Sequence, residues 1–251
     1  VTKTVRFLGY DRTRTRLIGE LESRGVTVLE TSEPVADLSG ADANIAFGYR
    51  HIIPEAVLRT AARPVLNLHI AYLPYNRGAH PNFWALYENT PSGVTIHEID
   101  AGIDTGPVCF QRYVNFAPAE NTLAQTHARL VRELEQLFVE NIDALLSGDY
   151  SARPQRGIGS FHKVGDLPEA ARNWDAELDA LFARLDREGR LQQDLGIIDE
   201  IQQVRTKNNV NWMDLLRIAI KNAPEETKAV LRRINSDDNK ISDLFKKLGE
   251  K

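Results

Sequence analysis

In the stretch VLNLHIAYLPYNRGAHPNFWALYENTPSGVTIHEIDAGIDTGPV, residues 65–108, side chains able to do chemistry recur at suggestive spacings. Asn67 and His69 stand two apart at the end of an apolar run. If that run is a strand, its period of two turns both side chains to one face. An amide beside an imidazole can polarise a carbonyl and stabilise the oxyanion formed when that carbonyl is attacked. Asp104 follows in DAGIDTG, whose two glycines allow close backbone approach. A carboxylate near His69 orients the imidazole and raises its pKa, which makes it a better acid or base. Taken singly, the pair reads as a strand-end cap and the Asp104 segment as a turn. Taken together they read as a site.

Such a site needs strands to carry it. VRFLGY (5–10), VTVLET (26–31), ANIAFGY (43–49) and VLNLH (65–69) are short apolar runs separated by helical patterns. Leu17, Ile18 and Leu21 share a helical face closed by Gly25, and PEAVLRTAAR opens on Pro54. Strands alternating with helices predict a Rossmann-like α/β fold, a mainly parallel sheet with helices on both faces. VTIHEID (94–100) and PVCFQRYVNF (107–116) add two more strands. In open α/β sheets the ligand crevice lies at the carboxyl ends of the strands, which is where Asn67 and His69 fall. A long helix from about Asn121 to Leu146 carries the stripe Leu130, Val131, Leu134, Leu137, Phe138, Ile142, Leu145. Thr122 with Gln125 reads as its capping box and Gly148 as its C-terminal stop.

The character changes after about residue 168. Residues 170–193 read as a charged amphipathic helix, and three short helices are predicted from Asp199 onward. Trp212, Met213, Leu216, Ala219 and Ile241, Leu244, Phe245, Leu248 form apolar stripes within them. The expected organisation is a catalytic domain over 1–167, a connecting helical segment over 168–198 and an all-helical C-terminal module over 199–251. The last 53 residues carry 11 Lys and Arg against 9 Asp and Glu. A balance of about +2 is too small for a nucleic-acid arm. The apolar stripes are expected to be structural and to help form a homodimer, the commonest closed assembly.

Composition narrows the class further. Net charge is −4, with 26% charged and 42% hydrophobic residues, the balance of a globular chain rather than a nucleic-acid binder. No apolar run reaches the roughly 20 residues of a membrane span, and VTKTVRFLGY does not read as a secretory signal. The single cysteine, Cys109, excludes an internal disulfide and a cysteine-rich metal site, so a reducing cytoplasm is the default.

NLHIAYLPYNRG followed by GVTIHEIDAGIDTGPV resembles the formyltransferases that use 10-formyltetrahydrofolate. The resemblance runs from about Val1 to Leu167 and keeps the family's order: Asn-x-His, Leu-Pro, Arg-Gly, a Thr-x-His strand, then Asp-Thr-Gly. It implies a catalytic trio of Asn67, His69 and Asp104, with 10-formyltetrahydrofolate as co-substrate and no metal. LPYNRGAHPNFWAL and GSFHKVGDL are most similar to the sugar N-formyltransferases, which implies a nucleotide-linked amino sugar as partner and acceptor. By position, folate contacts fall on Tyr49, Arg50, His51 and Ile52 and on the loop beginning at Asp100. Substrate contacts are expected from Tyr72, Arg77, Asn82 and His162, with Arg77 reaching a phosphate or pairing with a loop carboxylate. Phe83 and Trp84 read as helix packing, His127 as an ordinary helix residue, and Thr95 and His97 as supports of the Asp104 loop. The same trio also serves methionyl-tRNA formylation and formyltetrahydrofolate hydrolysis, and a catalytically silent folate-binding module is the remaining alternative.

Overall fold

The computed structural model describes residues 2–249, and only the backbone of residues 194, 201, 202, 205–214 and 237–249. The chain divides into two compact units, Val1–Leu185 and Asp186–Lys251.

In the first unit the apolar runs become strands in the expected places. They are β1 (Thr4–Gly9), β2 (Thr27–Thr31), β3 (Ala43–Phe47) and β4 (Leu66–His69), with α1 (Leu17–Ser23) between the first two and α2 (Glu55–Leu58) between the last two. A two-residue β5 (Arg77–Gly78), α3 (Pro81–Tyr87), β6 (Gly93–Glu98), β7 (Val108–Tyr113), α4 (Leu123–Ser147) and another two-residue strand, β8 (Phe161–His162), follow. The main sheet has the order β2-β1-β3-β4-β6-β7. The first four strands are parallel, while β6 and β7 run antiparallel to their neighbours. This reversal brings β6 back alongside β4 with Asn67 opposite His97 and His69 opposite Thr95. A register shift between Ile96 and His97 marks a bulge against β7, where Ile96 faces Phe110 and His97 faces Val108. Bulges of this kind bend a strand and re-aim a side chain.

One face of the sheet is covered by α1 and α4, whose Leu17, Ile18, Leu21, Leu130, Leu134, Leu137, Phe138, Ile142 and Leu145 pack with Val5, Phe7, Ile45, Leu66 and Ile96. Helix α4 has the expected ends: the Thr122 hydroxyl accepts from the Gln125 N–H, the Gln125 side chain accepts from the Thr122 N–H, and Gly148 closes the helix at φ +76°. The other face is thinner than expected. PEAVLRTAAR forms only the single turn of α2, and Val57 and Leu58 pack with Leu38 and Ile53 from loops over Leu8, Ala46 and Val65. The helix stops after Leu58 because the Thr60 hydroxyl donates to the Val57 carbonyl while also accepting from the Leu38 N–H, which ties the chain to a neighbouring loop.

Residues 168–185 pack in the first unit: Ala171, Leu181 and Leu185 are buried with Phe83 and Leu123. Residues 170–172 lie in a 3-10 turn (Glu169–Arg172), and the helix expected from residue 170 begins only at Leu178. It then runs on as α5 (Leu178–Asn222), followed after Ala223 by α6 (Pro224–Gly249). The three short helices predicted from Asp199 onward are thus replaced by the rest of α5 and by α6. Pro224 falls at the start of α6, where a missing N–H costs nothing. Of the two predicted stripes, the side chains of Trp212, Met213, Ile241, Leu244, Phe245 and Leu248 lie outside the described residues, and Leu216 and Ala219 are half-buried. Among the described residues no helix is long and apolar enough to cross a membrane.

Phe138 is fully buried, so Phe138→Ala is expected to cost about 3–5 kcal/mol. Thr122→Ala, which removes the cap alone, is expected to cost about 1 kcal/mol. Urea unfolding measures both. Equal costs would mean that the α4 stripe does not carry the core.

Candidate active site

Strand β4 ends at the carboxyl edge of the sheet with Asn67 half-buried and His69 buried. The loop 99–107, which joins β6 to β7, returns Asp104 to the same place. Asp104 has φ +53°, in the left-handed region that side chains other than Gly, Asn and Asp adopt with difficulty. Gly106 lets the loop fold down, because a Cβ there would lie 1.8 Å from the Glu98 carbonyl oxygen.

The Asp104 carboxylate is the hub. Its Oδ2 accepts from the Gly78 N–H at 2.9 Å and its Oδ1 from the Asn67 amide at 3.1 Å. His69 Nε2 lies 3.7 Å from Oδ2 and His97 Nε2 lies 3.5 Å from Oδ1. The expected trio is therefore brought together, but the carboxylate does not hold the His69 ring by a hydrogen bond. Instead His69 Nε2 donates to the Asn76 carbonyl at 3.4 Å. Asn76 is itself fixed: its N–H donates to Ser160 Oγ at 2.9 Å and its amide to Thr90 Oγ1 at 2.8 Å. Burial alone would raise the Asp104 pKa, but His69, His97 and the Gly78 N–H outweigh it, and the group lies below the ordinary carboxylate range. Burial lowers the His69 pKa, and the Asp104 charge opposes that only in part. The resting site is thus an ionised carboxylate beside a neutral imidazole, the pair an acid/base exchange needs.

The other expected residues fall into three groups. Tyr49 is half-buried and donates its hydroxyl to the Glu33 carbonyl at 2.9 Å; Arg50, His51 and Ile52 are exposed beyond β3, and Ile52 is 80% exposed. Asp100 is turned into its own loop, accepting from Thr105 Oγ1 at 2.6 Å and from the Gly102 N–H at 3.0 Å. Tyr72 stacks on Tyr113 with ring centroids 3.7 Å apart.

Arg77 is half-buried, and its Nε and Nη2 donate to Gln155 Oε1 at 3.1 and 3.0 Å rather than to a loop carboxylate. Asn82 is buried in the helix packing, donating to the Leu123 carbonyl at 3.1 Å. His162 stacks on Trp84 at 4.0 Å and lies 3.3 Å from Glu88. Thr95 supports the segment after β4 rather than the Asp104 loop, because its hydroxyl donates to the Ala71 carbonyl at 2.6 Å.

Two contributors went unrecognised as site residues. Gln155 donates to the carbonyls of both Asp104 and Gly106 at 2.8 Å, so one amide ties Arg77 to the Asp104 loop. Gly78 supplies a backbone N–H; at φ +85°, a Cβ there would lie 2.4 Å from the His162 carbonyl oxygen. A backbone donor leaves no signal in side-chain chemistry, and Gln155 lies 51 residues from Asp104 with no motif around it.

The family model described as formyl transferase matches residues 20–142. The formyltransferase PseJ from Anoxybacillus kamchatkensis, solved with UDP-4,6-dideoxy-4-formamido-L-AltNAc and tetrahydrofolate, is 35% identical with a TM-score of 0.64, over 71% of this chain and 97% of that one. A likely sugar N-formyltransferase from Mycobacterium tuberculosis shares the fold at 23% identity and a TM-score of 0.57, over 68% of this chain and 78% of that one. The methionyl-tRNA formyltransferase of Roseobacter denitrificans is 35% identical over 150 residues, 59% of this chain and 48% of its own length. This chain spans about half the length of the curated relatives it matches.

The electrostatics can be tested without a substrate. Burial lowers the His69 pKa, so by NMR its ring is expected to titrate below the ordinary value of 6.5. The Asp104 charge works in the opposite direction, so Asp104→Asn should move that titration still lower. An unchanged midpoint in the variant would separate the two groups electrostatically.

Proposed function

From the premise that this chain belongs to the formyltransferase family, we propose that it transfers a formyl group from 10-formyltetrahydrofolate to the amine of a nucleotide-linked amino sugar. The observation that carries the reading is the likeness over 97% of a formyltransferase solved with such a formamido sugar and tetrahydrofolate, at 35% identity. The converging Asn67, His69 and Asp104 supply the chemistry.

Bound 10-formyltetrahydrofolate supplies a formyl group on an aryl amine nitrogen, which leaves readily once protonated. The pteridine and benzoyl rings of this donor have flat faces that apolar side chains can cover, and Ile52 and Ile103, in the loops after β3 and β6, are left 80% and 47% exposed. In the exchange, a C–N bond forms between the amine and the formyl carbon while the bond from that carbon to the folate nitrogen breaks. The proton leaving the amine ends on the folate nitrogen. Neutral His69 is the group that carries it. Asn67 stands beside it to stabilise the oxyanion, and the Asp104 carboxylate balances the charge that His69 gains.

We place the enzyme in the cytoplasm and assign it a homodimer built through the second unit. There Leu191, Leu195 and Ile198 lie at i, i+4 and i+7 of α5, and each is about half exposed. Such a stripe is shaped for a second helix surface.

The second reading, formylation of methionyl-tRNA, is favoured by the curated relatives at 32–38% identity. Purified chain with 10-formyltetrahydrofolate is offered either the UDP-linked 4-amino-4,6-dideoxy-AltNAc or charged initiator tRNA. Mass spectrometry then reads the gain of one formyl group. Formylation of the sugar is expected. Formylation of the tRNA alone would establish the second reading, and release of formate with neither acceptor would make the protein a hydrolase.

His69→Asn is expected to lower kcat at least about 100-fold while folate affinity stays within about twofold, the scale of general acid/base catalysis. A rate near that of the unsubstituted protein would remove His69 from the mechanism. Light scattering is expected to show a dimer that becomes a monomer when residues 186–251 are deleted. A deletion variant that stays dimeric would place the interface in the first unit.

A further inference from the structure

A cavity of about 150 Å³ lies on the α4 side of β4, with apolar walls that include Ile70, Phe83, Leu123 and Trp174. His80, Asn82 and His127 also line it. Asn82 is 5% exposed, and its amide nitrogen donates to the Leu123 carbonyl, which can only accept. The other end of that amide is therefore the oxygen. Among the described residues this Oδ1 is buried without a hydrogen-bond partner. Buried acceptors are nearly always partnered, because leaving one bare is costly. His127 stands edge-on to Trp174 with ring centroids 5.0 Å apart. His80 opens α3 with a left-handed backbone, φ +54°, yet its side chain does not cap the helix. Backbone held in that region by a residue other than glycine clusters where ligands are gripped. Burial lowers the pKa of both imidazoles, so each is neutral at pH 7 and offers an N–H.

This lining selects a group with an N–H for Asn82, an acceptor for an imidazole and an apolar end. A secondary amide has all three. A cavity of about 150 Å³ takes a benzene-sized group, so an acetamido group fits and the bicyclic pteridine of the folate does not. The position agrees. Leu66 and Leu68 pack on the α4 face of β4, so alternation turns Asn67 and His69 the other way. Ile70 follows His69 directly, and His80 lies two residues after Gly78, whose N–H donates to Asp104. A sugar ring laid across the carboxyl end of β4 can present its amine to His69 on one side and a neighbouring substituent to the cavity on the other. The pyrimidine base is held farther from the reacting amine by a ribose and a diphosphate. We propose that the cavity is an acyl-amino subsite for the acceptor, in which the N–H of an acetamido group donates to Asn82 Oδ1 and its methyl group packs among the apolar walls. The inference rests on the reading of the acceptor as a nucleotide-linked amino sugar and adds a second, acylated nitrogen that the sugar must carry.

The first measurement is NMR of the intact protein labelled with nitrogen-15, titrated with N-methylacetamide and, separately, with N,N-dimethylacetamide, which has no N–H. N-methylacetamide is expected to move the Asn82 side-chain amide and His127 ring signals, and N,N-dimethylacetamide to move them at least about threefold less at the same concentration. Signals that stay still with both, or move equally with both, would overturn the proposal. This test needs neither a nucleotide sugar nor a variant. If N-methylacetamide binds as expected while no nucleotide sugar binds, the amide site stands and the sugar reading of the acceptor fails.

The second measurement is calorimetry with the UDP-linked 4-amino-4,6-dideoxy-AltNAc and with its analogue in which an acetate ester replaces the acetamide, keeping the shape and removing the N–H. The acetamide is expected to bind at least about tenfold tighter, the scale of one hydrogen bond to a buried acceptor. Asn82→Leu, which keeps the bulk and removes the acceptor, is expected to bind the two alike. Equal binding by the unsubstituted protein, or a preference that survives in Asn82→Leu, would overturn the proposal while leaving formyl transfer to the sugar intact. UDP alone moving the Asn82 signals as far as the whole acceptor does would give the cavity to the base and overturn it as well.

Discussion

An ionised carboxylate held out of water constrains everything around it. Removing a carboxylate from solvent costs several kcal/mol unless donors surround it. Asp104 receives the Gly78 N–H and the Asn67 amide and sits beside two imidazoles. Each donor depends on a separate part of the fold. Gly78 must adopt a positive φ, β4 must end with Asn67 facing this crevice, and the loop after β6 must turn tightly enough to bring the carboxylate down.

The sheet topology follows the same demand. A purely parallel sheet would have placed the strand after β4 with its carboxyl end beside that of β4. The antiparallel β6 instead lays His97 directly opposite Asn67. The loop 99–107 then has to climb back to the carboxyl end of β4. Gln155 holds it there by bonding the Asp104 and Gly106 carbonyls, and it uses its remaining oxygen to engage Arg77. The site is therefore positioned by bonds between elements far apart in the chain rather than by any single loop.

What could be read from the residues alone were the features governed by local periodicity. The Asn67/His69 pair follows from a two-residue repeat. The capping box at Thr122 and Gln125 and the αL stop at Gly148 follow from the chemistry of helix ends. Features settled by distant partners stayed hidden. Residues 54–63 have helical character, yet Thr60 is diverted to a neighbouring loop and only one turn forms. Arg77 looked available for a phosphate because Gln155, which engages it, is 78 residues away.

The left-handed backbone at Asp104 also limits how this position can change over evolutionary time. Only glycine, asparagine and aspartate occupy that conformation at little cost, and of the three only aspartate is charged. Asparagine or glycine at this position would keep the loop and lose the charge, whereas a bulkier residue would strain the backbone by roughly 1–2 kcal/mol. Residue 104 thus answers to two separate demands: the loop needs a residue at ease in this conformation, and the proposed proton transfer needs the one of them that is charged.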